Sequence, residues 1–427
     1  AVNRENPEKI SFLIAQNFLG NELNLSGLKD LEGLVSTTRL QNMLDFSRVS
    51  FDKTISLTPK KSIVMETKWN IEKLENLMTI VRGASPRPID KYLTNDENGV
   101  NWIKIGDVKE GDKYITQTEE RITPEGAEKS RFVKEGDFIL SNSMSSGRPY
   151  ILKITGCIHD GWLLLSQFNE KLNTEYFYYL LSHYDGVKQQ LSDNALGGTV
   201  KNLNIDRVKS IQIPIPDKDI QEKIVAECEM IDKEVENAEQ VVKNLKANIT
   251  ESLIEINKNS EIKKLALICN MKAGQFVSAS DINDNNESDL YPCYGGNGLR
   301  GYTKTFTHDG TFPLIGRQGA LCGNVHKVTG KFHATEHAIV VTPLSDINVN
   351  WLYYQLNFLN LNQYKTGVAQ PGLSVKNLET VLTPVPDLET QKTLVAEIET
   401  LENKIAEAQK IINEAVAKKQ AVLKNYL

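Results

Sequence analysis

The sequence predicts an α/β (α+β) fold of two repeated units, each a domain of mixed strands and short helices running into a long helix. The two long helices are expected to pair as an antiparallel coiled coil with pseudo-twofold symmetry. Three observations predict this. The stretch VKNLNIDRVKSIQIPIPDKDIQEKIVAE at residues 200–227 returns, five residues shorter, as VKNLETVLTPVPDLETQKTLVAE at residues 375–397. Upstream, NTEYFYYLL at Asn173 answers NVNWLYYQL at Asn348, and Ile71, Lys73 and Leu74 answer Ile262, Lys264 and Leu265. Each copy then continues into an apolar seam of helical spacing. A repeat this long is a domain used twice. Between the shared ends the two copies diverge almost completely, so one scaffold carries two contents.

The elements follow in chain order. Residues 1–68 have no counterpart in the repeat and are read as an appendage; the chain opens on Ala1 in mid-segment, as a fragment would. The first domain, 69–216, shows apolar alternation in NWIKIGDV at Asn101 and EGDFILSN at Glu135, which predicts strands, and a loop SMSSGR at Ser143. From Asp217 a long helix is predicted over 217–258. Its seam is Ile224, Cys228, Ile231, Val235, Ala238, Val242, Leu245 and Ile249, in steps of four and three. The second domain, 259–386, is richer in glycine. The second helix, 387–427, carries Leu394, Ile398, Leu401, Ile405, Ala408, Ile412 and Ala415 at the same phase. Pro216 and Pro386 keep the preceding chain extended, and Asp217 and Asp387 can cap the first turns. Helices of about 40 residues reach roughly 60 Å, and so narrow a stripe needs a partner. Two unrelated helices, each packed on its own domain, is the competing reading; matched phase and length favour pairing.

Composition narrows the class. A chain of 427 residues exceeds one compact core. No run reaches membrane-spanning length and no signal pattern opens the chain, so a cytoplasmic location is expected. Cys157, Cys228, Cys269, Cys293 and Cys322 are scattered without CxxC spacing, against a disulfide framework or a zinc site. The net charge of −6 argues against a uniformly basic surface. Acidic excess collects in the first long helix, six Lys against ten Asp or Glu between Lys218 and Lys258, while residues 260–387 are balanced.

The divergent regions hold the chemistry. In YGGNGLRGYTKTFTHDGTFPLIGRQGALCGNV, residues 294–325, glycine turns separate strand-like runs and present Asn297, Arg300, Tyr302, Arg317 and Gln318. Arg, Asn and Gln make bidentate contacts to guanine or adenine edges, and glycine lets backbone approach a phosphate chain. For any one of these residues a hairpin turn in solvent explains as much; the cluster favours base reading. His333, Glu336 and His337 in KFHATEHAIV lack the helical HExxH spacing, and AIVV reads as a strand. Cys322 with His333 has nothing to activate the thiol. GGNGLRG is neither a dinucleotide fingerprint nor a P-loop. No catalytic constellation emerges.

The double pattern of variable region, proline pair, QEKIVAE or QKTLVAE and long helix closely resembles the specificity subunit of type I restriction-modification systems, over residues 69–427. The most specific marks are IPIPDKDIQEKIVAE and PVPDLETQKTLVAE, with NWIKIGDV, YGGNGLRGYT and GRQGALCGNV. The resemblance implies target recognition domains at 69–216 and 259–386, spacer helices at 217–258 and 387–427, and an asymmetric, bipartite DNA target. It implies double-stranded DNA and methyltransferase subunits or domains as partners, restriction or translocase subunits joined through them, and no membrane. No catalytic residue, metal or cofactor is then expected in this chain, S-adenosylmethionine belonging to the partner methyltransferase. Residues 37–61, TTRLQNMLDFSRVSFDKTISLTPKK, look like the C-terminal tail of the partner adenine methyltransferases without an NPPY or DPPY motif. That likeness implies a methyltransferase-like tail at 1–68 and a fused methyltransferase-specificity parent. Phosphate anchoring is expected from Arg82, Arg87, Lys104, Lys201 and Lys376. Base choice is expected from Ser145, Ser146 and Arg148 in the first domain and from Asn297, Arg300, Arg317 and Gln318 in the second. A protein-interaction scaffold with two peptide-binding domains on a coiled-coil spacer is the alternative.

Overall fold

The computed structural model describes residues 10–21, 23, 43, 65, 67–109, 111–142, 147–195, 203, 205–319, 321–366 and 372–427. The methyltransferase-like stretch at 37–61 therefore lies outside the described residues, save Met43. The chain forms two compact units, Ala1–Glu229 with Ala417–Leu427, and Met230–Val416.

Each unit is closed by a strand pair that joins its beginning to its end. In unit 1, Asn70–Lys73 runs antiparallel to Gln212–Ile215 with Ile71 opposite Pro214; in unit 2, Glu261–Lys264 pairs with Leu382–Val385 with Ile262 opposite Pro384. Both strands of such a pair are edges, which is where a proline is tolerated. The Leu74 N–H then donates to Ile211 O (3.0 Å) and the Leu265 N–H to Val381 O (2.9 Å). Both leucines are fully buried. The repeated Ile-x-Lys-Leu motif is thus a closing strand followed by a core anchor.

The divergent regions share a frame as well. Unit 1 has a five-stranded sheet in the order Thr79–Arg82, Trp162–Ser166, Phe138–Ser141, Pro149–Leu152, Tyr114–Ile115, antiparallel at the first three junctions and parallel at the last. Unit 2 orders Cys269–Ala273, Ala338–Pro343, His308–Gly316, Val325–Ala334 and Tyr291–Gly295 in the same senses, then adds Gly298–Thr303 as a hairpin. Unit 1 alone adds a second five-stranded sheet, which contains Val100–Ile103 and packs around Trp102, Ile122 and Cys157. The strand expected in NWIKIGDV is therefore shorter than its alternation suggests. It stops at Ile103, and Ile105–Asp107 turns as a 3-10 helix because the Asp107 carboxylate accepts the Lys104 N–H at 2.6 Å.

The shared helices Thr174–His183 and Val349–Phe358 are capped alike. Asn173 Oδ1 accepts from the N–H groups of Glu175 and Tyr176, and Asn348 Oδ1 from those of Asn350 and Trp351. Each helix drives a fully buried aromatic side chain, Tyr176 or Trp351, into its unit's core.

The long helices span Lys218–Lys258 and Leu388–Tyr426. Asp387 caps the second through its carboxylate, which accepts the Thr390 N–H at 3.0 Å; at Asp217 the backbone carbonyl accepts from Ile220 and Gln221. Every seam position is buried or half-buried, and Ala238, Ala408 and Ala415 are buried. In unit 1, Ile224 and Cys228 from the start of the first helix share a core with Leu423 from the end of the second and with Leu427 just beyond it. In unit 2, Leu253 near the end of the first shares a core with Leu394, Val395 and Ile398 near the start of the second, and Ser252 Oγ donates to Glu397 at 2.8 Å. Within each unit the pairing is antiparallel.

Candidate nucleic-acid interface

In unit 2, four loops meet at the ends of the shared sheet, held by main-chain contacts too close for side chains. A Cβ on Gly274 would stand 2.2 Å from Ala334 O, and one on Gly316 2.1 Å from Gly296 O. Only glycine permits these approaches. The Arg317 N–H donates to His337 O at 2.9 Å and Arg317 O accepts the Leu373 N–H at 2.8 Å, so its backbone is fixed on both sides. Asn297 and Gln318 are exposed on neighbouring turns, and the Arg300 side chain runs back so that its Cδ lies 3.9 Å from the Cβ position of Gly295. The structure thus brings Asn297, Arg300, Arg317 and Gln318 to one junction. Two oxygens there, Thr335 Oγ1 and Glu336 Oε2, are buried without a hydrogen-bond partner among the described residues. Glu336 Oε1 faces His337 Nε2 at 3.1 Å. His333 is buried, and its Nε2–H donates to Gln275 O (3.2 Å), leaving Nδ1 to accept from the Thr305 hydroxyl (3.1 Å). It holds the loop at Gln275 in place.

Unit 1 repeats the frame with other side chains. Gly83 stands where Gly274 does, its Cβ position 2.1 Å from His159 O. Asn142 occupies the place of Arg317: its N–H donates to Gly161 O (2.7 Å) and its carbonyl accepts the Leu203 N–H (3.1 Å). Ser85 Oγ donates to Asp160 Oδ1 at 2.7 Å, and this bond, above all, holds the Asp160 carboxyl below its ordinary range. Arg82 Nε donates to Asp160 O (2.8 Å) and Arg87 reaches Asp160 Oδ2 (3.3 Å), its side chain otherwise exposed. Both arginines therefore reach Asp160, Arg82 at its main-chain carbonyl and Arg87 at its carboxylate.

The remaining expected residues are placed apart. Lys104 follows a strand of the additional sheet, just before the Ile105–Asp107 turn, and pairs with Glu120 at 2.7 Å. Arg148 is half-buried, its N–H bonded to Ser141 Oγ. Tyr302 lies on the hairpin strand Gly298–Thr303, its backbone bonded in both directions to Asn283. Lys376 is exposed in the short helix Val375–Glu379. Ser145, Ser146 and Lys201 lie outside the described residues. Sequence reading passed over Asn142, Ser85, Asp160 and Phe276. A signal existed: Gly83 follows Ile71, and Gly274 follows Ile262, at the same spacing. Among the described residues no group of His, Cys, Asp or Glu side chains is placed to hold a metal ion, and no helix is long and apolar enough to cross a membrane.

Comparison with known proteins agrees with the doubled frame. A family model described as the type I restriction modification DNA specificity domain matches twice, over residues 66–247 and 257–416. The type I restriction enzyme EcoprrI specificity subunit of Escherichia coli is 30% identical over 345 residues, covering 75% of this chain and 84% of that one. The type I restriction enzyme MjaIX specificity subunit of Methanocaldococcus jannaschii is 24% identical over 173 residues, 40% of this chain and 39% of that one. Among solved structures, the type I restriction-modification S subunit from M. genitalium superposes with a TM-score of 0.54 at 16% identity, covering 87% of this chain and 99% of that one. That last likeness is one of fold alone. With both units matched by the model and most of the Escherichia coli relative covered, the chain belongs to the family of type I restriction-modification DNA specificity subunits.

Proposed function

We propose that this chain reads an asymmetric, bipartite sequence in double-stranded DNA, one half-site through each unit, for a type I restriction-modification complex. One observation carries the reading. At equivalent, backbone-pinned positions of a shared sheet frame, the two units present different side chains: Ser85 and Asn142 in one, Phe276 and Arg317 in the other. A common frame with divergent loop residues supports two different half-sites. The gap between them would be unread and set by the long helices. Base choice in unit 2 rests on Asn297, Arg300, Arg317 and Gln318, whose types suit base edges. Phosphate anchoring falls to exposed cations such as Arg87 and Lys376.

On this reading the chain carries out no chemistry itself. Methyl transfer from S-adenosylmethionine to adenine belongs to methyltransferase partners docked on it, with restriction or translocase subunits joined through them, in the cytoplasm where the DNA lies. Family membership weighs against the peptide-binding scaffold. Methylome sequencing of cells carrying the intact system, followed by binding of this chain to the methylated duplex and to a scrambled one, tests the proposal. The expected result is a split, non-palindromic motif and binding that prefers it; a chain indifferent to sequence at moderate salt sinks it.

A further inference from the structure

Phe276 is 76% exposed, yet the backbone just before it is bonded in place. The Gly274 N–H donates to Ala338 O (2.9 Å) and the Gln275 N–H to Ala334 O (2.8 Å), while Gln275 O accepts from His333 Nε2. On the other side Val277 is buried. The loop that carries this exposed apolar ring is thus bonded to the 334–338 turn, the same turn whose His337 O accepts the Arg317 N–H at 2.9 Å. Single exposed apolar residues are ordinary. One whose loop is bonded to the turn that also holds Arg317 belongs to the same loop cluster as the base-edge side chains. At the equivalent place unit 1 has Ser85, tied to Asp160, so this position differs between the units in the way a reading position should.

We propose that Phe276 is a specificity-determining residue of unit 2, meeting the 5-methyl group of a thymine in the major groove. The thymine methyl is the apolar mark on the major-groove edges, and a phenyl ring is one of the side chains suited to it. Asn297, Arg317 and Gln318, on loops of the same cluster, offer donors and acceptors for the adjoining bases. Their polarity favours a base step over an apolar protein surface as the occupant.

This inference rests on the DNA-reading proposal, and the two can fail separately. Each thymine of the target duplex is replaced in turn by deoxyuridine, and Kd is measured for the full chain and for Phe276→Ala and Phe276→Leu. One replacement should weaken the unsubstituted protein about fourfold, the value of one buried methyl. Phe276→Ala should bind the thymine and deoxyuridine duplexes alike at that position, and Phe276→Leu should keep part of the preference. A protein indifferent to every replacement, a target half without thymine, or an alanine variant that still discriminates overturns the inference while leaving DNA reading intact. Unchanged DNA binding by Phe276→Ala with loss of methyltransferase association also overturns it, and assigns the ring to a protein contact. Failure of the unsubstituted protein to prefer its target over a scrambled duplex overturns the reading beneath it.

Discussion

Gln221 and Gln391 each tie three segments together with one amide. Gln221 Oε1 accepts the Asn173 N–H, and Nε2 donates to the carbonyls of Lys171 and Pro216, all at 2.8 Å. Gln391 makes the corresponding bonds with Asn348 (2.8 Å), Asp346 (3.4 Å) and Pro386 (2.9 Å). The repeat showed that this glutamine recurs but not what it holds, because two of its three partners lie in the segment before the shared helix, more than 40 residues back in the chain. Replacing Gln391 by Leu should leave the Asn348 N–H and the Pro386 carbonyl buried without partners, a cost of about 2–4 kcal/mol. Urea unfolding followed by tryptophan fluorescence, with Trp351 fully buried in unit 2, reads the change. A loss under about 1 kcal/mol would mean that water replaces the amide. Arg317→Ala makes a different prediction: preference at one base of the target relaxes by about 1–3 kcal/mol. A uniform loss on all sequences would make Arg317 a phosphate contact. The residue types near Arg317 were legible as a cluster, whereas Asn142 and Phe276 were not, since only the bonds at Gly161, Leu203, Ala334 and Ala338 place them.

At the scale of elements, the long helices were the most legible part, because a seam of alternating four- and three-residue steps has one physical solution. The shared sheets were less so. Their strands differ in sequence between units, and what is common is strand order and sense, which pairing decides and local alternation does not record. The second sheet of unit 1 was read only as further short strands. The glycines at sheet ends are where local sequence and pairing meet. Gly316→Ala would place a methyl 2.1 Å from the Gly296 carbonyl, which is backbone and cannot swing aside. We expect this variant to lose discrimination in the half-site of unit 2 by at least tenfold while the other half-site is still read. Binding to duplexes mutated in one half at a time measures this, and equal loss in both halves would show global unfolding instead.

For the whole molecule, the proposed spacer makes a metric prediction. Removing seven residues from each long helix, which preserves the seam, shortens each by about 10 Å, or roughly three base pairs of duplex. Methylome sequencing should then show both half-sites unchanged and the gap reduced; altered half-site bases would contradict the spacer. The ends of these helices also bear on the order in which the protein can be completed. Tyr426 donates to Glu227, 199 residues away in sequence, and its carbonyl accepts from Trp69 Nε1, 357 residues away, while Leu423 and Leu427 lie in the core of unit 1. Domains as a rule fold in the order in which they are synthesised. Here the ribosome makes most of unit 1 first and its final core side chains last, after all of unit 2. The unit that leads in translation is the one that finishes second, and until it does, the apolar surface around Ile224 and Cys228 stays open to other chains.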